Sequence, residues 1–476
     1  MQPEMGQLNF DGQYSDAHHF LRLCCFHIYA SSSVYSTPFS YPTLRCPPTH
    51  TIPPLVDRQF RHRPAPGCET TIATMDLGSL HHRHFPAVVI GAGQAGLAAG
   101  HELARRGFTP GTDFAVIDAN DGPGGAWRHR WDSLTLGKAH GIADLPGMPM
   151  QRPAPGVPAS RLVAEYYDAY EREFALDVVR PAQATSVAAD GESPLKITAV
   201  GGAGRRNKKI TETTTVVCSA DTVLSATGTW ANPHVPFVPG IGQFQGRQLH
   251  TKDYTRKEDF ADQRTLVVGG GLSAVQFLLE LAEVTETIWA TRRPPNFTTR
   301  EFGSNWGLAV EEAVRERTFH GQAPASVVRT TGIPLRPDYV QGVADGTLIS
   351  RGMFDRITPT GVAFGEPAST SADGLGPSAH RKLQVPESWQ PYPAGTPIDV
   401  DVIFWTTGFR HALRHLAPLK LREPGGGILM HDEVQVAKDP RILLVGYGST
   451  ASTVGATRAG RKAGMVAAHY LKELGR

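Results

Sequence analysis

Val88-Val-Ile-Gly-Ala-Gly-Gln-Ala-Gly96 places three apolar residues directly before a Gly-x-Gly-x-x-Gly turn, and a helix-forming segment follows at once. The stretch reads as a strand, a phosphate loop and a helix start. Gly91 permits the tight turn, Gly93 lets backbone approach a pyrophosphate, and Gly96 lets the helix pack close to the strand with its N-terminus facing the anion. A glycine turn alone has little specificity, so the flanking residues decide. Ala98 to Arg106 holds strong helix formers, Gly107 suits the position past a helix end, and Phe114-Ala-Val-Ile-Asp118 reads as a second strand ending in an acid. Asp118 stands 27 residues past Gly91, a spacing that suits a hydrogen bond to an adenosine ribose. The plain alternative is a surface acid after a strand.

With 476 residues the chain is long enough for two or three domains. Fifty glycines and 37 prolines indicate many turns, and a net charge of +2 without a basic block argues against a nucleic-acid surface. Four of the five cysteines (Cys24, Cys25, Cys46, Cys68) precede the glycine loop, which leaves Cys218 alone in the body of the chain. No Cys-x-x-Cys is present to serve as a redox pair or zinc half-site. No apolar run approaches the roughly 18 residues of a spanning helix. The expected location is the cytoplasm.

Residues 1–80 are rich in Ser, Thr, Pro and His and lack periodicity, so a largely disordered arm is expected, with Met75 as a candidate natural start. After Asp118 comes Gly122-Pro-Gly-Gly-Ala-Trp127, where adjacent glycines (Gly124, Gly125) let backbone lie against a flat ligand and Trp127 walls its edge. A helix is expected from Ser160 through Phe174, short antiparallel strands from Val178 to Val217, and then a strand ending in the Ala226-Thr-Gly228 turn.

A second loop, Thr265-Leu-Val-Val-Gly269-Gly-Gly271-Leu-Ser-Ala274, opens a helix from Ser273 to about Ala282. The strand Thr287–Thr291 follows and ends in Arg292-Arg293 where the first unit carries an acid. Arginine there can grip a 2′-phosphate bidentately, which selects NADPH over NADH; two solvated arginines at a strand end are the alternative. Glu366–Thr396 reads as loops with one short strand pair, Asp399–Trp405 as a buried strand into the Gly408 turn, and Arg441–Val445 as a strand before Gly448. Ser452 and Thr453 are candidate caps for a last helix through His469.

Between the two loops lies Phe244-Gln-Gly246-Arg-Gln-Leu-His250-Thr-Lys-Asp-Tyr254. This Phe-x-Gly-x-x-x-His-x-x-x-Tyr string resembles the linker motif of the flavin-containing monooxygenases and their N-hydroxylating and Baeyer–Villiger relatives. The Gly124–Trp127 turn, Ala226-Thr-Gly228, Thr407-Gly408-Phe409 and Val445-Gly-Tyr-Gly448 are similar to that family in the same order, over residues 84–476. The resemblance implies an α/β fold of two Rossmann-like dinucleotide-binding domains, with an NADPH domain inserted into a split FAD domain. The expected boundaries are an FAD-binding part at 81–235, an NADPH-binding domain at 236–396 and a second FAD-binding part at 397–476.

By the same resemblance, Gly91, Gly93, Gln94, Gly96, Asp118, Gly125, Trp127, Ala226, Gly228, Gly408 and Gly448 hold FAD. Gly269, Gly271, Ser273, Arg292 and Arg293 hold NADPH, and His250 and Tyr254 act at the linker and in nicotinamide docking. The implied reaction is reduction of FAD by NADPH, capture of dioxygen as a peroxide adduct, and oxygenation of a small organic substrate at a nitrogen, sulfur or carbonyl centre. No metal is implied. Tyr254 stands where Baeyer–Villiger enzymes carry tryptophan, and no asparagine follows Ser133-Leu134 as in the heteroatom-oxygenating branch. A pyridine-nucleotide disulfide reductase needs a dithiol that Cys218 alone cannot supply. An NADPH-dependent flavoprotein reductase or oxidase without oxygen insertion stays open, and a non-catalytic nucleotide-binding module would be colourless. Oligomeric state is not encoded in any motif.

Overall fold

The computed structural model describes residues 75–139, 142–202, 213–298, 304–324, 332–367, 383–453 and 455–476. All of them fall in the compact unit Thr71–Arg476. The expected disorder of residues 1–74, and with it four of the cysteines, lies outside the described residues. The last six positions of the expected arm are ordered: Leu80 is fully buried, and the Met75 backbone amide donates to the Asp177 carboxylate at 3.0 Å.

Two separate sheets carry the two glycine loops. The first contains β1 (His84–Ile90), β2 (Phe114–Ile117), β3 (Val178–Val179), β4 (Gln183–Ala188), β5 (Leu195–Gly202) and β6 (Thr213–Ser225). Its order is β3-β2-β1-β6-β5-β4, with a late strand also paired to β6. β1, β2, β3 and the second half of β6 run parallel, while β4 and β5 form an antiparallel hairpin on the first half of β6. Alternation along β1 splits the core. From Ala87 onward, Ala87 and Val89 face the cluster under the helices and Val88 and Ile90 face the opposite cluster, which Phe85 at the strand's start also joins. Helix α1 (Gln94–Arg105) leaves the β1 loop, and α2 (Ala159–Glu173) packs Tyr166, Tyr167 and Tyr170 into the same cluster.

The second sheet consists of β7 (Arg247–His250), β8 (Thr265–Val268), β9 (Thr287–Ala290) and β15 (Val402–Trp405), with α3 (Leu272–Leu281) leaving β8 through the second loop. Its order is β7-β15-β8-β9, and it is wholly parallel. Around it lie β10 (Phe297–Thr298) paired with β11 (Ile333–Pro334), helices α4 (Ser304–Phe319) and α5 (Pro337–Ala344), and an antiparallel set of β12 (Phe354–Ile357), β13 (Gly361–Phe364) and β14 (Pro397–Asp399). Residues 368–382 of the stretch in which a short strand pair is expected lie outside the described residues, and its described remainder holds a single helical turn at Pro386–Ser388.

β15 corrects the expected boundary at residue 397. Its register sets Trp405 beside both His250 and Val268, so β15 completes the second sheet while β14 stays paired with β13, and the chain returns to the first sheet only afterwards. The reason is a hydrogen-bonding one: β15 is buried along its whole length and fills the slot between β7 and β8. The return ends in β16 (Ile442–Leu444), parallel to β6, and α6 (Gly455–Glu473). α6 lies directly on α1. A Cβ at Gly460 would stand 2.3 Å from the Ala95 carbonyl oxygen, and one at Gly464 would stand 2.8 Å from that of Ala99, so the helices touch through backbone.

Candidate functional site

The first loop is shaped by contacts that exclude any side chain. Gly91 has φ +103°, and a Cβ there would stand 2.6 Å from the Ala226 carbonyl oxygen; one at Gly96 would overlap the Gly91 carbonyl oxygen at 1.7 Å. Register explains the first contact, because Ile90 pairs with Ser225 and both strands end level, leaving Gly91 beside Ala226. Gly93 caps α1, so the free amides of its first turn face outward from the sheet edge. Gly125 (φ +53°) packs directly on Gly93, where a Cβ would fall 2.7 Å from the Gly93 Cα. The two glycine strips form one backbone-lined cradle.

That cradle opens into a cavity of about 1130 Å³. Gly91, Gly93, Gln94, Asp118, Gly125, Trp127, Ala226 and Gly228 all line it. Asp118 is 4% exposed; its carboxylate accepts from the Ala92 amide at 2.7 Å and the Asn120 amide at 2.9 Å. Arg180, paired with Glu171 at 2.6 Å, stands 3.7 Å behind it. Gln94 uses its amide to tie the start of α1 to Thr453 and, at 2.8 Å, to the Thr457 hydroxyl. Ser452 Oγ accepts from the Gly455 amide and caps α6 as expected.

Three of the expected positions do not border the cavity. Gly96 serves helix packing. Gly448 faces Thr318, whose methyl would meet its Cβ at 2.7 Å, and Gly446 lines the cavity instead. Gly408 lies on the segment between the sheets, where its carbonyl accepts from His250 Nε2 at 2.9 Å and the His234 amide at 3.0 Å.

His250 and Tyr254, the candidate catalytic pair of the linker motif, stand outside the cavity lining. His250 is 4% exposed; its Nδ1 accepts from the Lys252 amide while Nε2 donates to Gly408, and burial lowers its pKa. With both nitrogens engaged, this neutral ring has no proton to exchange with a ligand. Tyr254 sits in the second core against Phe277 and Phe404, and its hydroxyl donates to Glu280 at 2.7 Å. Glu280 also accepts from Ser133 at 2.5 Å, so this acid ties the loop after Trp127 to α3. Both motif residues fix one part of the chain against another.

At the second loop, Gly269 has φ +144° and presses on Thr406, and Gly271 caps α3. Ser273 follows in the first turn of that helix. The Gly269 amide donates to Ala290, so the loop abuts the end of β9, two residues beyond which Arg292 and Arg293 are exposed. Neither arginine forms an ion pair among the described residues.

The segment 411–422 also walls the cavity, although no motif marks it. His415 is 5% exposed and its Nε2 stands 3.0 Å from Ser225 Oγ; burial pushes its pKa down to about 4, against the opposing effect of the Ala412 carbonyl. His411 is held down to about 4 by burial and by Arg422. Tyr167 Oη and Arg130 Nε also belong to cavity-lining residues, and both are buried without a hydrogen-bond partner among the described residues. The Trp127-Arg-His-Arg130-Trp131 spacing is the available sequence signal for the arginine. Cys218 is buried in β6 with its thiol pushed up to about 11, and it is the one free cysteine among the described residues.

The comparisons agree with this geometry. Residues 88–323 match the family described as pyridine nucleotide-disulphide oxidoreductase. The flavin-containing monooxygenase from Stenotrophomonas maltophilia is 31% identical with a TM-score of 0.60, covering 82% of this chain and 99% of that one. Indole-3-pyruvate monooxygenase YUCCA4 of Oryza sativa subsp. japonica is 33% identical over 198 residues, 41% of this chain and 44% of the relative. A Baeyer-Villiger monooxygenase of Streptomyces coelicolor is 28% identical over 258 residues, 53% of this chain and 45% of the relative. The chain belongs to the flavin-containing monooxygenase family. It spans about half the length of the curated relatives it matches.

Proposed function

We propose that the protein is an FAD- and NADPH-dependent monooxygenase that oxygenates a small organic substrate at a nitrogen, sulfur or carbonyl centre. The carrying observation is the pair of glycine loops that follow the parallel strands β1 and β8, the first bonded to Asp118 through the Ala92 amide and the second abutting the end of β9, just beyond which Arg292 and Arg293 are exposed. The cradle fits a dinucleotide: its wall is bare backbone, α1 presents free amides to a pyrophosphate, and Tyr167 offers an unpaired buried hydroxyl. When bound there, FAD supplies hydride acceptance from NADPH and the activation of dioxygen.

The chain's own residues bind and orient. Asp118, held by two backbone amides, presents its remaining lone pairs to a ribose. Arg292 and Arg293 receive the 2′-phosphate of NADPH as paired, exposed cations. Trp127 and Trp230 line the cavity and exclude water from its walls. The placement is in the cytoplasm, with dioxygen as co-substrate.

Purified protein should carry a flavin absorption spectrum and consume NADPH in preference to NADH. Replacing both Arg292→Ala and Arg293→Ala should raise KM for NADPH by about 10- to 100-fold and leave that for NADH nearly unchanged. Peroxide equal to NADPH consumed with every acceptor tried would replace this reading with the oxidase one, and colourless protein would defeat both.

A further inference from the structure

Arg130 is a cation without a counterion. Its Cζ lies 4.1 Å from the Trp230 ring centroid, 5.8 Å from that of Trp127 and 5.9 Å from that of Trp131. The side chain lines the cavity, its Nε is buried without a partner, and it makes no ion pair among the described residues. Asp121, the acid of the same loop, is taken by Arg128 at 2.7 Å. Burial pushes the Arg130 guanidinium down to about 10. Three indole rings compensate the cation in part, but they leave its buried Nε–H unanswered. A guanidinium kept in that state is completed by an incoming anion with acceptor oxygens in one plane.

The position narrows the source of that anion. The pyrophosphate of a dinucleotide has its own amides at α1 and the Gly91–Gly96 loop, to which Arg130 does not belong. Arg130 stands where segments of the two sheets meet: Trp131 packs on Tyr254 at 5.6 Å and Phe277 at 4.7 Å in the second core, and Trp230 stacks on Phe409 at 4.9 Å. A hydride passing between cofactors held on the two loops must cross this junction, so the substrate must reach it too. Flat indole walls suit a planar apolar body beside the charged group.

Building on the monooxygenase reading, we infer that the substrate is an organic carboxylate, with its carboxylate on Arg130 and its apolar body against Trp127 and Trp230.

Phenylacetate and phenylacetamide, equal in shape and different in charge, are the probes. Each is titrated into the flavin-loaded protein while the flavin absorbance is followed. Phenylacetate should bind at least about 10-fold more tightly than phenylacetamide, the discrimination of one charge-assisted hydrogen-bonded pair. Arg130→Gln should bring the ratio to near one, while FAD affinity of the apoprotein and the rate of flavin reduction by NADPH stay within about 2-fold. Arg130→Lys keeps charge without the planar fork and should retain only part of the preference. Equal binding of the two probes to the unaltered protein overturns the inference without any variant. A loss of FAD affinity of about 10-fold or more in Arg130→Gln overturns it as well, because the anion is then the cofactor's phosphate. Protein that binds no flavin at all defeats the underlying reading instead.

Discussion

His415 and His411 make the fold acid-sensitive over a window that can be worked out from the structure. Both imidazoles have pKa values pushed down from 6.5 to about 4 by burial, so the folded protein holds them neutral where the unfolded chain protonates them. A depressed histidine pKa contributes stability that is complete above pH 6.5 and is lost as pH falls from there toward 4. At pH 5 each ring then removes about 2 kcal/mol relative to pH 7.5, since a tenfold difference in proton affinity between the folded and unfolded chain is worth about 1.4 kcal/mol. His415 is the cleaner case: it is 5% exposed, its Nε2 stands 3.0 Å from Ser225 Oγ, and burial outweighs the opposing effect of the Ala412 backbone. Urea unfolding followed by tryptophan fluorescence at pH 7.5, 6.5, 5.5 and 5.0 measures the effect. His415→Gln lowers stability at every pH through lost packing, but the fall between pH 7.5 and 5.0 should shrink by about 2 kcal/mol relative to the unaltered protein. The same fall in both proteins, within about 0.5 kcal/mol, would refute the buried-neutral assignment.

Gly96→Ala forces a Cβ into the Gly91 carbonyl oxygen, so α1 must move off the phosphate loop; flavin occupancy after purification should drop below about a tenth of normal, with far-UV circular dichroism retained. Tyr254→Phe removes a hydroxyl that bonds Glu280 and nothing in the cavity. Stability should fall by about 1–2 kcal/mol in chemical denaturation while flavin reduction by NADPH in stopped flow stays within about 2-fold, and a reduction rate lowered 100-fold would give Tyr254 a catalytic role instead.

The two loops are legible in the sequence because their determinants are local. Gly96 and Gly125 answer to backbone of the first unit itself, at Gly91 and Gly93, whereas Gly91 also meets Ala226 from β6; the acid or arginine after each second strand follows from strand length. Gly460 and Gly464 carry no comparable signal, since a glycine inside a helix names no partner until α1 is laid against it. The same holds for His411, His415 and Arg130, whose neighbours Arg422, Ser225 and Trp230 are brought to them by the fold.

β15 explains why the motif histidine and tyrosine serve packing although their spacing suggests chemistry. A strand separated from β7 by some 150 residues has to enter the second sheet before the segment after it can meet the segment after β6. Once it does, Phe409 stacks on Trp230, Thr407 donates to the His234 carbonyl, and His250 closes the corner by donating to Gly408. Both connecting segments therefore cross at one point, and His250 is the side chain that bonds across it. Tyr254 performs the matching task one turn later, since Glu280 accepts from it and from Ser133 on the loop that carries Trp127 and Arg130. Together these bonds hold the segments between the two sheets in one relation. The motif thus encodes the placement of the reaction, while the cavity wall at Arg130 and Trp230 selects what reacts there.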